Sequence, residues 1–278
     1  MSAGTNTVSA PVRLRTVLCT SGGLFGALVL HRLRACERLE ICGVIRSSRV
    51  IDPTFGFFRG ARTHVRLSGI SYALYLWCAT TLTDWLCALG ATGAVPSRSV
   101  APSTRVFTTR DVNDPRSLEF LSDCAPDLLV SAFFNQRLRA PALAVPMRAC
   151  LNIHPSLLPE HKGVEPVFQA LLHGSPLGVT VHFMNPELDA GRILVQKSIE
   201  HRAGASVFQI TALLFREGAD LLAGAIERIV QGDTGTAQSG AGSYQGWPTR
   251  TEMRDLRARG GSLMRLIDLA RLLIDPSA

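Results

Sequence analysis

The chain has 278 residues, 46% of them hydrophobic, and a formal net charge of +7. That length suits one large domain, or one domain with a small appendage, and the apolar content is ample for a real core. Seven scattered cysteines with no Cys-x-x-Cys pair read as reduced core residues in a cytoplasmic protein and leave no zinc site. Nearly all the cations are Arg, and residues 1–66 hold ten Arg against three acids. This excess reads as a basic solvated surface, with attraction of an anionic substrate as the functional alternative.

Residues 1–12, MSAGTNTVSAPV, are small and polar, which predicts a disordered start. They show no charged segment followed by an apolar run, so no secretion signal is read there. Arg15 to Thr20 predicts a first strand. It runs into Ser21-Gly22-Gly23 and an apolar helix from Leu24 to Ala35. A Gly-rich turn opening a helix can hold a phosphate on backbone N–H groups, or can simply be a tight connection. Leu39 to Ile45 predicts a second strand, and residues 50–66 a loop.

Gly69 to Leu89 carries Ile70, Leu74, Trp77, Cys78, Leu82, Trp85, Leu86 and Leu89 at helical spacing. The stripe predicts a docked or lid helix, with an interfacial membrane contact as the sharper alternative. Residues 91–110 predict a loop. Asn113-Asp114-Pro115 opens a helix to Cys124, with a capping residue before Pro at the first helical position. Leu128 to Phe134 predicts a strand buried on both faces.

Residues 149–154, ACLNIH, predict a further buried strand ended by Pro155, which has no N–H to donate. Alternate side chains of a strand share a face, so Asn152 and His154 project together. Ser156 to Gly163 reads as a loop and Val164 to Leu172 as a short helix. Gly178 to Met184 and Ile193 to Ile199 read as a strand pair around a Leu188-Asp189-Ala190-Gly191 turn. Ser206 to Val230 is a long amphipathic helix stopped by Gly232. The remainder, 236–278, reads as a Gly/Ser linker and two helical pieces, Thr249 to Ala258 and Ser262 to Leu273.

Asn152, His154 and Asp189 together suit acyl transfer to an amine. The amide can donate to a carbonyl oxygen gaining charge, the imidazole can donate to the same oxygen or move a proton, and the carboxylate can orient and charge the imidazole and help to take the proton of the attacking amine. Ser156 has no base near it in sequence and is not read as a nucleophile.

The run Asn152-Ile-His154-Pro155-Ser156-Leu-Leu-Pro159, with Gly163, Pro166, Gly174, Gly178-Val-Thr180-Val-His182, Leu188-Asp189-Ala-Gly191 and Gln196, resembles the folate-dependent formyltransferases over about residues 126–232. The resemblance implies an α/β fold: an open, mainly parallel twisted sheet flanked by helices, with a catalytic domain over 13–232, an insertion helix at about 69–89 and a helical extension over 236–278. It implies 10-formyltetrahydrofolate as co-substrate, contacted along Asn135 to Leu138, with Gln136, Leu138, Leu188, Asp189 and Gly191 as its site. It places Ser21, Gly22, Gly23, Ser156 and His182 on the acceptor side, and Asn152, His154 and Asp189 at the chemistry. His182 is also read as a strand residue facing structure, and Gly191 as supplying a backbone angle that other residues resist.

The expected acceptor is a small-molecule primary amine, such as an amino sugar or specialised metabolite. Only 46 residues follow Gly232, which disfavours the barrel domain of a methionyl-tRNA formyltransferase; the first strand near Arg15 disfavours a formyltetrahydrofolate hydrolase. A divergent tRNA enzyme and a catalytically idle binding protein stay open as alternatives, and a homodimer is a further expectation.

Overall fold

The computed structural model describes residues 13–51, 54, 56–89, 104–201 and 204–274. The expected disordered start, 1–12, lies outside them. Seven strands form one sheet: β1 (Leu14–Thr20), β2 (Leu39–Ser47), β3 (Arg105–Thr109), β4 (Leu128–Ala132), β5 (Ala149–His154), β7 (Gly178–Phe183) and β8 (Ile193–Ser198). Their order is β3-β2-β1-β4-β5-β7-β8; the first five run parallel and the last two antiparallel. A second, two-stranded sheet joins β6 (Lys162–Gly163) to β9 (Tyr244–Gln245).

Strand order reverses at β1 and β4, so a crevice opens beyond the carboxyl ends of these strands. Alternation along β1 feeds two cores. Leu14 and Leu18 join the large one with helix α1 (Gly23–Ala35) and helix α8 (Val207–Val230). Val17 and Cys19 join a smaller one with helix α5 (Pro115–Cys124). Asp114 caps α5 by accepting from the Ser117 amide at 2.8 Å, with Pro115 at the first helical position. A capping box of Ser206 and Gln209 starts α8.

Residues 57–68 form helix α2 (Phe57–Ser68), where a loop is expected. Its arginine-rich sequence hides the apolar period; His64 anchors it, buried edge-on against Trp247 with ring centroids 4.8 Å apart. The expected loop at 91–110 contains strand β3; its 91–103 part lies outside the described residues. β3 is an edge strand with one partner, so only one face meets the core and the apolar signal is thin.

The insertion is helical as expected: α3 (Ile70–Trp77), a π-helical turn over Cys78–Leu82 and α4 (Thr83–Ala88). Its bulky stripe does not face the core. Ile70, Leu74, Trp77, Trp85 and Leu89 are exposed, while Tyr72, Tyr75, Ala79 and Thr83 are buried. The reason is a close backbone approach: a Cβ on Gly23 would meet the Ala79 carbonyl oxygen at 2.2 Å, a gap that only small residues permit. No helix of the described residues is long and apolar enough to cross a membrane. The C-terminal region shares the large core through Met253 and Leu256 of helix α9 (Arg250–Ala258), and helix α10 spans Leu266–Ile274.

The insertion also donates the Tyr72 hydroxyl to Glu165 Oε1 at 2.9 Å. Burial pushes the Glu165 carboxyl from 4.5 up to about 7, against the opposing pull of that hydroxyl. A raised acid contributes most stability below its unfolded value and loses it as pH rises from about 4.5 to about 7. Urea unfolding of Glu165→Gln and wild type at pH 5 and pH 8 should show the variant losing less stability across that interval. Equal losses would contradict the shift. A second expectation concerns Gly218 on α8, where a Cβ would lie 2.3 Å from Ile153 Cγ2 and 2.7 Å from Val179 Cγ2. Helix propensity favours Gly218→Ala by roughly 1 kcal/mol, but stiff β-branched neighbours reverse the sign. Unfolding should show a loss of roughly 1–3 kcal/mol.

Candidate active site

Asn152 and His154 stand on one face at the end of β5, as their spacing predicts, and both meet Asp189. Asp189 reaches them from the loop between β7 and β8, with its own backbone in the left-handed region at φ 50°. The amide Nδ2 of Asn152 donates to Asp189 Oδ1 at 3.3 Å and lies 3.2 Å from Nε2 of His182. The Gly163 amide donates to Asp189 Oδ2 at 2.8 Å. Two imidazoles flank Oδ1: His154 Nδ1 at 3.7 Å and His182 Nε2 at 3.6 Å.

The backbone fixes which ring nitrogens carry hydrogen. His154 Nε2 lies 2.9 Å from the His161 carbonyl, and His182 Nδ1 lies 2.9 Å from the Phe183 carbonyl. A carbonyl only accepts, so these two nitrogens donate. In the neutral rings His182 Nε2 is then an acceptor for Asn152, and His154 Nδ1 turns a lone pair toward a carboxylate. That second contact becomes attractive when His154 takes up a proton.

Burial holds the His154 imidazole below its ordinary 6.5, against the pull of Asp189. Burial pushes the Asp189 carboxyl up, but His154, His182 and the Gly163 amide together outweigh it. They hold the group well below the usual carboxylate range. The site at rest therefore holds a carboxylate beside a neutral, protonatable imidazole.

All four side chains line a cavity of about 790 Å³ at the carboxyl ends of the parallel strands. The segment after β4 and the Asp189 loop contribute the apolar Leu138, Met184 and Leu188 to its wall. Tyr75, Glu165, Trp247, Arg46 and Asp84 also line it. Tyr75, Arg46, Asp84 and Trp247 are not legible as site residues in the sequence, because each is brought in by a segment with no motif of its own; Glu165 lies between Gly163 and Pro166 of the quoted run, where nothing in the sequence marks it as facing the cavity.

The other expected residues divide. His182 sits in the cluster itself. Ser21 and Leu188 line the cavity. Gln136 also lines it, but its amide is spent inside the protein: its Oε1 accepts from the Val112 amide at 2.7 Å and its Nε2 donates to Ser47 Oγ at 2.7 Å. Leu138 is buried at the base of the slot. Ser156 is drawn away from the cavity, donating its hydroxyl to the Glu160 carbonyl at 2.7 Å. The amides of Gly22 and Gly23 do not face open space: they donate to Thr20 Oγ1 at 3.2 Å and to Asp84 Oδ1 at 3.2 Å. Gly191 is required by crowding, not by a left-handed angle: a Cβ there would lie 1.7 Å from the Phe183 carbonyl oxygen. The left-handed residue of that turn is Asp189.

A sugar N-formyltransferase from Shewanella sp FDAARGOS_354 shares the fold with a TM-score of 0.54 at 16% identity, over 84% of this chain and 77% of that one. A glycinamide ribonucleotide transformylase from Symbiobacterium toebii does so with a TM-score of 0.53 at 22% identity, over 83% and 94%. Methionyl-tRNA formyltransferase of Chloroflexus aurantiacus is 38% identical over 136 residues, 49% of this chain. The chain spans less than half of that relative, 44% of its length. The formyl transferase family model matches residues 83–226, which hold Asn152, His154 and Asp189 and make up just over half of the chain; the chain belongs to that family.

Proposed function

We propose that this protein transfers a formyl group from 10-formyltetrahydrofolate to the primary amine of a small-molecule acceptor. The observation that carries the reading is the convergence of Asn152, His154 and Asp189 on one wall of the cavity. The slot between Leu138, Met184 and Leu188 suits a flat heterocycle, and the opposite side of the cavity suits the acceptor. Gln136 contributes to that slot by shape alone, since its amide is already bonded.

Each residue has a separable task. Asn152 makes two long bonds in the resting site, at 3.2 and 3.3 Å. A formyl oxygen gaining negative charge is a better acceptor than the neutral Nε2 of His182, so the amide turns to it as nitrogen attacks carbon. The new C–N bond forms while the carrier's N–C bond breaks, and the amine loses a proton as the carrier nitrogen gains one. Asp189 is too weak a base to keep that proton. His154 takes it at Nδ1, directly or through water, and Asp189 stabilises the resulting imidazolium. His182 holds Asn152 in place by accepting its second hydrogen.

A second reading, methionyl-tRNA as acceptor, is favoured by the names of the curated relatives that match about half of this chain. It predicts binding to that RNA that weakens steeply with salt.

Purified protein offered the formyl donor and a panel of small amines and methionyl-tRNA, with tetrahydrofolate release followed, decides between them. Asn152→Ala should lower kcat roughly a hundredfold to a thousandfold with a smaller change in KM. Asp189→Ala should lower it on the order of a hundredfold or more. Wild-type turnover in both would remove the mechanism. The acid limb of kcat/KM should reflect His154, below its ordinary 6.5. Asp189 raises the His154 value, so the residual activity of Asp189→Asn should show that limb at lower pH. A limb that stays put would assign the titration to another group.

A further inference from the structure

The amides that open α1 form the kind of cradle that takes an anion: a glycine turn, a helix N-terminus and a cation beside them. The protein fills this cradle with its own side chains. The Gly23 amide donates to Asp84 Oδ1 at 3.2 Å, and the Leu24 amide donates to Thr83 Oγ1 at 3.0 Å. The Thr83 hydroxyl is itself fixed, donating to the Ala79 carbonyl at 2.8 Å. The other oxygen of Asp84 takes the guanidinium of Arg46. Arg46 in turn lies over the turn, where a Cβ on Gly22 would meet Nη2 at 2.5 Å. Both Thr83 and Asp84 come from the insertion, whose backbone is pressed against Gly23 at Ala79.

From this geometry we infer that Asp84 is a built-in anion that closes the cradle to phosphate, so that the acceptor carries no phosphate group at this end of the cavity. A phosphate entering there would lose the Gly23 amide and Arg46 to a carboxylate already bonded to both, and would meet a like charge beside it. Ser21, Arg46 and Asp84 line the same cavity as Asn152 and Asp189, so the excluded position lies within the space an acceptor would enter. The residue is a specificity determinant: it removes phosphorylated amines from the acceptors and leaves a bound carboxylate whose second partner is an arginine. The acceptor statement rests on the formyl-transfer reading above; the closed cradle does not.

Inorganic phosphate is the probe, and thermal unfolding of the full chain reads binding without turnover. Wild type in 10 mM phosphate should melt where it melts in chloride of equal ionic strength. Asp84→Ala frees the Gly23 amide and Arg46, and phosphate should raise its Tm by about 2–6 °C. Adding Arg46→Ala should abolish that rise. Asp84→Asn keeps an acceptor for the Gly23 amide, so it serves if the alanine variant fails to fold. It should show a smaller rise, because the carboxylate charge is gone. Phosphate raising the Tm of wild type as much as that of the variants would overturn the proposal, as would no response in any Asp84 variant. A second arm compares turnover of a phosphorylated amine with its dephosphorylated form. A wild-type preference for the phosphorylated form would overturn the acceptor class, whereas no turnover of either, with the phosphate response intact, would count against the formyl-transfer reading alone.

Discussion

The site is built around one buried carboxylate. A charge removed from water is tolerated only when its oxygens are bonded and opposed by complementary groups. Asp189 meets that demand with four partners from three segments: the Gly163 amide on one oxygen, and Asn152, His154 and His182 on the other. Each partner is fixed in turn by backbone. β5 carries Asn152 and His154, β7 carries His182, and the Gly163 position is held by pairing with Tyr244–Gln245. The same contacts that make the carboxylate tolerable make it a weak base, which is why the proposed reaction gives the proton to His154.

In the proposed reaction that division asks for no nucleophile. The carboxylate would supply a fixed field, the imidazole a place for a proton, and the amide a dipole for an oxygen gaining charge. The field acts best where water is scarce, and all three are buried or half-buried in the cavity wall. Residues 70–88 add to that wall: they bring Tyr72 to Glu165 and Asp84 to the turn after β1.

Legibility in the sequence followed how local the cause was. The strands β1, β4, β5 and β7 and the helix α8 show in apolar runs and in one amphipathic period, because burial on a face repeats at a fixed interval. Asn152 and His154 were readable as neighbours for the same reason: two residues apart on a strand. Asp189 was not reachable by spacing; it was joined to them by its chemistry, as a carboxylate in a turn between two strands, and by the resemblance. The insertion misled where propensity and packing diverge. Its aliphatic and tryptophan residues form a helical stripe, yet the docked face holds Tyr72 and Tyr75 and, where two backbones meet at Gly23 and bulk cannot enter, Ala79 and Thr83. Gly191 misled in a similar way. A glycine in a turn suggests a special angle, whereas here it answers the nearby Phe183 carbonyl, and Asp189 takes the strained angle.

A left-handed backbone at a non-glycine residue costs about 1 kcal/mol or more and persists only where surrounding contacts impose it. Asp189 and Glu165 both adopt it, and both place carboxylates in the cavity wall. Their environments then separate them. Asp189 accepts from two amides beside two protonatable imidazoles and stays ionised, while Glu165 has one tyrosine hydroxyl and is pushed up to about 7. Two acids with opposite shifts give one cavity wall a permanent charge at Asp189 and a titratable one at Glu165. The tyrosine that sets this balance belongs to the insertion, so the segment absent from the recognisable pattern is the one that shapes what the recognisable residues act on.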